Sequence, residues 1–174
     1  SFEVARFGED RLELKVNQTD DFSSMMVPPF IVQPIAENAV KHAMPSEGKL
    51  TVSISAQIDG DDVIVVVEDD GVGMSQEACE SIMHPESSTG LGIAVKNVHD
   101  RMKGFFGPDA SMQVDSQLGE GTRVTLRFPG CAQRASQSQG AEDALEAMVQ
   151  KDRAGEDVLR RPLELTLEDI APAL

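Results

Sequence analysis

Val63-Ile64-Val65-Val66-Val67-Glu68-Asp69-Asp70-Gly71-Val72-Gly73-Met74 decides how the rest of the chain is read. The apolar run is a strand buried on both faces, too short to be anything longer. An acid at its end, Asp69, is costly to bury unless something uses it. Gly71 and Gly73 let the backbone turn sharply and approach a flat surface closely. An ordinary acidic turn is the plain alternative. A calcium loop is excluded, because the regular series of oxygen ligands and the late Glu of an EF-hand are missing. Just upstream, Leu50, Val52, Ile54, Ala56 and Ile58 alternate with Thr51, Ser53, Ser55 and Gln57, which gives a strand with one core face and one polar face. Asp59-Gly60-Asp61-Asp62 is the turn that joins the two strands.

Moving outward, Ile31, Ile35, Ala39 and His42 recur at helical spacing between Phe30 and Met44. Pro28-Pro29 can open that helix, and Pro34 is tolerable only in its first turn, where the amides lack intrahelical partners. Two strands, Phe2–Phe7 and Arg11–Val16, precede it. After Met74 the pattern weakens to Thr89, which reads as a loop with one short helix after Ser75. Gly90-Leu91-Gly92 opens a second long helix to about Phe105. Ser111–Asp115 and Arg123–Phe128 close the domain as strands through Leu118-Gly119-Glu120-Gly121. Strands joined mostly by tight turns, with two long helices interspersed, predict an α/β two-layer sandwich: a mixed sheet covered by helices on one face. The domain spans 1–130. Residues 131–174 form a tail: a Ser/Gln-rich linker, a short helix over Ala141–Arg153, and an alternation of Leu163, Leu165 and Leu167 that suits a strand. This tail is expected either to be disordered or to dock.

Charge sets outer bounds. Thirty acidic residues against 15 basic give a net charge of −15, which repels nucleic-acid backbones and anionic membranes. It does not exclude a nucleotide, because backbone amides and helix N-termini hold phosphate locally. Cys79 and Cys131 stand far apart in no metal-like spacing and read as two reduced thiols. No signal peptide and no apolar run of membrane-spanning length is visible. The start at Ser1-Phe2-Glu3 reads as a cut within a longer protein.

Three stretches carry chemistry. In Gln33-Pro34-Ile35-Ala36-Glu37-Asn38-Ala39-Val40-Lys41-His42, the side chains of Asn38, Lys41 and His42 are neighbours on a helix. An amide oxygen is a hard neutral ligand suited to Mg²⁺, which takes few protein ligands beside phosphate, and Lys41 can neutralise phosphate charge. Asp69 can accept from the exocyclic amine of adenine, where guanine presents a carbonyl. In Ser87-Ser88-Thr89-Gly90-Leu91-Gly92, glycines ahead of a helix expose amides at its positive end. A dinucleotide fingerprint fails there for want of a third glycine and a preceding strand, and a P-loop fails for want of Gly-Lys-Ser/Thr.

In this order the stretches resemble the N, G1 and G2 boxes of the GHKL ATPase superfamily, most closely sensor histidine kinases of the LytS type. The carrying residues are Pro28–His42, Asp69–Met74 and Gly90–Met102. Leu118–Leu126 fits the family's closing strand, and Arg6-Phe7-Gly8 its entry segment. The resemblance covers about residues 3–129. It implies a Bergerat fold that binds Mg-ATP under a flexible lid, with Asn38 on Mg²⁺, Lys41 on phosphate and Asp69 on adenine, the last supported by Thr122 through water. Gly71, Gly73, Gly90 and Gly92 would shape the pocket and lid, and Asn97 would sit near the phosphates. His42, Met74, Thr89 and Leu91 complete the expected ATP-binding set.

One departure separates branches of the superfamily. ATP-hydrolysing members resemble one another in a Glu one turn before the Asn; here Pro34 stands there and cannot be a base. Glu37 points about 100° away from Asn38 on a helix. Transfer to an external acceptor is therefore favoured over hydrolysis. His42, His84 and His99 belong to the boxes and lid, and none suits a phosphoacceptor; the resemblance implies an acceptor upstream on a dimerising helical hairpin, so this stretch alone should bind ATP without autophosphorylating. The resemblance further implies a response regulator, a homodimer in the full protein, and a cytoplasmic domain of a protein anchored in the bacterial inner membrane. A nucleotide-sensing pseudokinase and an interaction module that works through its acidic tail are the alternatives.

Overall fold

In the computed structural model, residues 2–7, 11–18, 26–27, 31–84, 90–131 and 161–162 are described. Strand β1 (Phe2–Phe7), β2 (Leu12–Gln18), β4 (Leu50–Asp59), β5 (Asp62–Asp69), β6 (Ser111–Gln117) and β7 (Gly121–Phe128) form one six-stranded sheet in the order β1-β2-β4-β5-β7-β6. Every pairing is antiparallel except β2 with β4, which is parallel. A parallel pair cannot be joined by a tight turn, and here helix α1 (Val32–Ala43) makes the crossover. Two-residue strands β3 (Met26–Val27) and β8 (Arg161–Pro162) pair antiparallel. Helices α2 (Gln76–Ile82) and α3 (Gly90–Phe106) complete the elements. The expected α/β sandwich with a mixed sheet is the observed architecture.

The alternation dictates the layering. Leu12, Leu14 and Val16 of β2, Leu50, Val52, Ile54 and Ala56 of β4, and Val63, Val65 and Val67 of β5 are buried on the helix-facing side, with Leu126 and Phe128 of β7. Burying a side chain of this size contributes roughly 1.5–3 kcal/mol. From the helices, Ile35 and Ala36 of α1 and Val95, Val98 and Met102 of α3 meet them at spacings of one, three and four. The Phe106 ring stands edge-on to Phe128, centroids 4.8 Å apart. On the other face the strands are polar apart from Ile64 and Val66 of β5, and are tied by cross-strand pairs: Arg123 donates to Glu68 at 3.0 Å, and Arg127 to Asp62 at 2.6 Å and Asp59 at 3.0 Å.

Two expectations shift and a third is met. Ile58 is 38% exposed rather than core, because it lies at the hairpin end of β4 after the buried run has stopped at Ala56. The first helix is trimmed to Val32–Ala43, which leaves Pro34 in its first turn. The short helix after Ser75 is α2, and its first turn is capped by the Ser75 hydroxyl, which accepts from the Ala78 amide at 3.2 Å. The helix and strand read in the tail, over Ala141–Arg153 and Leu163–Leu167, lie outside the described residues.

Candidate functional site

Asp69 is the last residue of β5 and the one charged side chain among the buried residues described, 6% exposed. Its register places it beside Val52 of β4 and Thr122 of β7, and Thr122 in turn beside Ser116 of β6. Three polar residues thus continue an apolar row across the core face of the sheet. Oδ1 of Asp69 accepts from the Gly71 amide at 3.0 Å. Burial pushes its carboxyl pKa above the ordinary range; the amides of Gly71 and Thr122 oppose that rise, and the charges of Asp70 and Glu68 add to it.

The next residue does a different job. Asp70 is exposed, yet its Oδ1 accepts from the Thr51 amide at 2.7 Å and its own amide donates to the Thr51 carbonyl at 3.2 Å, which pins the turn to β4. The two glycines that follow are needed for close approach. A Cβ on Gly71 would be driven into the Ala43 carbonyl at the end of α1, and one on Gly73 (φ 64°) into the Gln117 carbonyl. Gly121 (φ 105°) likewise backs directly on the carbonyl of Asp69. The turn is therefore wedged between α1 and the β6–β7 hairpin.

Between helices and sheet lies a cavity of about 540 Å³, counted out to its mouth. Helix α1 contributes Ile35, Asn38, Ala39, His42 and Ala43; the sheet contributes Val67, Asp69, Val114, Thr122 and Val124; Gly73, Met74, Ile82 and Val95 complete the wall. Asn38 and Asp69 thus stand on two walls of one mostly apolar cavity, with a few convergent polar groups, the composition of a small-molecule site. The Asn38 Nδ2 is buried and finds no partner among the described residues. A half-turn of the amide exchanges nitrogen and oxygen, so this group can offer either to a ligand.

Of the residues singled out in the sequence, Asn38, His42, Asp69, Gly73, Met74 and Thr122 line the cavity, and Gly71 donates to Asp69. Lys41 is exposed and does not line it. Helix geometry gives the reason: relative to Asn38, Ile35, Ala39 and His42 lie at about +60°, +100° and +40°, while Lys41 lies at about −60°, off the facing arc. Asn97 is exposed on α3, whose inward residues are Val95, Val98 and Met102. Gly92 is buried. Gly90 and Leu91 belong to α3, but their side-chain surroundings, and Thr89 altogether, lie outside the described residues.

Sequence reading missed Ser116. Its hydroxyl accepts from the Met74 amide, donates to the Gly121 carbonyl and bonds the Thr122 hydroxyl, all at 2.8 Å. The signal was present: in β6 the core-facing series Met112, Val114, Ser116 ends on a polar residue. The apolar wall of Ile35, Val95, Val114 and Val124 was also missed, being indistinguishable in sequence from ordinary core.

Residues 30–131 match the family model described as histidine kinase-, DNA gyrase B-, and HSP90-like ATPase. The chain belongs to this family. The family resemblance carried by the three boxes is thereby shown. Among relatives, the sensor protein LytS of Bacillus cereus is 33% identical over 132 residues, 74% of this chain and 22% of the relative. The sensor histidine kinase/phosphatase LytS of Staphylococcus aureus is 33% identical over 121 residues, 67% of this chain and 20% of the relative. The chain spans about a fifth of the length of these relatives. A solved structure of the blue-light activated histidine kinase of Erythrobacter litoralis EL346 superimposes with a TM-score of 0.52 at 23% identity, over 71% of this chain and 37% of that one, which supports the fold.

Proposed function

We propose that this domain binds Mg-ATP in the cavity between α1 and β5/β7 and presents the γ-phosphoryl group to a histidine on a dimerisation domain outside this chain. The observation that carries the reading is the shared cavity of Asn38 and Asp69. Asp69 accepts from the adenine amine, and Thr122, its neighbour across the β5–β7 register, supports the base on the same edge of the cavity. Gly71, Gly73, Gly90 and Gly92 shape the backbone around the nucleotide. His42, Met74, Thr89 and Leu91 contribute to the ATP site, while Lys41 and Asn97 reach the phosphates from beyond the cavity wall.

Mg²⁺ fits what is present. Among the described residues no group of three or more His, Cys, Asp or Glu could hold a metal, so those residues offer no cage of their own. With its amide turned so that the oxygen takes the place of the unpartnered nitrogen, Asn38 offers a hard neutral ligand suited to a cation that draws most of its ligands from phosphate and water. Bound there, the ion would neutralise charge on the phosphate oxygens. What the chain's own residues do is hold the base, orient the phosphates and keep water away; Pro34, in place of a water-activating Glu, leaves hydrolysis without a base.

The wider role we propose, supported by the LytS relatives, is that of a catalytic domain of a dimeric sensor kinase that works with a response regulator in a two-component system. We place it on the cytoplasmic side of a protein anchored in the bacterial inner membrane. Among the described residues no helix is long and apolar enough to cross a membrane. Calorimetric titration with ATP, with and without Mg²⁺, tests the binding: metal-dependent heat is expected, and none would end the proposal. Transfer is tested on the longer protein that carries the acceptor helix. ATP binding there without a phosphohistidine would make the domain a nucleotide sensor.

A further inference from the structure

Ser116 lies outside every box read from the sequence, and its hydroxyl is saturated. One hydroxyl has one proton and two lone pairs. The Met74 amide can only donate, so it takes one lone pair, at 2.8 Å. The Gly121 carbonyl can only accept, so it takes the proton, at 2.8 Å. The Thr122 hydroxyl, also at 2.8 Å, must then donate into the remaining lone pair. Any other assignment sets two oxygens together with no proton between them. Thr122 lines the cavity, so its oxygen faces the ligand as an acceptor only, its proton held by Ser116. Beside it, Asp69 is also an acceptor. The backbone of Ser116 is fixed as well: its amide reaches the Cys79 sulfur, and the Cys79 thiol donates to the Val114 carbonyl at 3.3 Å.

We infer that Ser116 is a specificity-determining positioning residue, which fixes the direction of the Thr122 hydroxyl so that this edge of the cavity accepts a 6-amino purine and rejects a 6-oxo purine. Two adjacent acceptors match an amine, which donates, and repel a carbonyl oxygen, which can only accept. With Ser116 removed, the Thr122 proton is free to turn toward the ligand and donate to a carbonyl, so discrimination falls while the base site persists. This inference rests on the proposal that the purine edge sits at Asp69.

The test uses ATP and inosine triphosphate, which differ only at that edge, and compares the ratio of their dissociation constants. Wild type should prefer ATP. Ser116→Ala should shrink the ratio on the order of tenfold, the effect of one realigned hydrogen bond at this site, and Ser116→Thr, which keeps a hydroxyl, should restore it. In a Thr122→Val background Ser116→Ala should leave the ratio unchanged. A merely structural role would weaken both nucleotides equally and leave the ratio alone, which overturns the inference; so does Ser116→Thr failing to restore it while melting like wild type. Wild type that binds neither nucleotide, or both equally, overturns the adenine reading itself, and the inference goes with it.

Discussion

Asp69→Asn should separate binding from folding. Oδ1 of Asp69 accepts from the Gly71 amide at 3.0 Å, so the variant keeps its amide oxygen there and puts its NH₂ group where the second carboxylate oxygen stood. A donor then meets the donating amine of adenine. Losing a hydrogen bond to a charged group removes about 1.5–3 kcal/mol, roughly a ten- to hundredfold weaker Kd. Stability should move the other way. The folded carboxyl has its pKa raised by burial, so the fold prefers the neutral form. The stability Asp69 contributes is fully present below its unfolded pKa of about 3.9 and is lost as pH rises through the folded value. At neutral pH the wild type carries that cost and the neutral amide does not. Without nucleotide, the variant should melt at or above the wild-type temperature at pH 7, and its advantage should vanish in mild acid. Calorimetry with Mg-ATP and melting at the two pH values report both quantities. An Asp69→Asn protein that binds ATP like wild type, or that melts well below it without nucleotide, would refute the reasoning.

Other perturbations read other parts of the site. Asn38→Ala removes a buried nitrogen with no described partner, so melting without nucleotide should change little, while the Mg²⁺-dependent part of the ATP titration disappears; metal dependence equal to wild type contradicts the assignment. Gly121→Ala should cost about 2–4 kcal/mol in urea unfolding, since the residue has φ 105° and backs on the Asp69 carbonyl. Gly60→Ala, with φ 63° and open space around it, should cost only about 1 kcal/mol; equal losses at the two positions would show that close packing is not the cause. Phe128→Ala removes a fully buried ring that stands edge-on to Phe106 and should cost about 3–5 kcal/mol of stability, read from the same denaturant curves.

What the sequence made legible is what repeats locally. The β4 alternation and the apolar β5 run needed only neighbouring residues, and Asp69 stood out as an acid at the end of a buried strand. Helix α1 was legible too, but its cavity-facing residues were not fully so. Lys41 and His42 both neighbour Asn38 by spacing, and only the orientation of the helix against the sheet favours His42. Pairing order was hidden for a related reason. That β2 lies parallel to β4, or that Thr122 sits between Asp69 and Ser116, depends on contacts between residues far apart in sequence. Cavity wall and solid core draw on the same apolar residues, so Val95, Val114 and Val124 carry no mark of the space they face.

The turn after Asp69 shows how such distant contacts make the site. Two glycines in three residues would leave a free loop disordered, and a ligand would have to supply the ordering, at roughly 1–2 kcal/mol per residue. Here each successive backbone group is already held by a different element. The Asp70 amide donates to Thr51 of β4, the Val72 amide to Ala43 at the end of α1 at 3.0 Å, and the Met74 amide to Ser116 of β6, while the Val72 carbonyl accepts from Gly119 in the β6–β7 turn at 2.8 Å. The glycines therefore serve close packing, not mobility, and the ordering cost is met on folding rather than on binding. It follows that residues with no ligand contact, in the β6–β7 turn or at the end of α1, can weaken nucleotide binding by loosening this turn. Their effect should appear as a less favourable binding entropy with the enthalpy little changed.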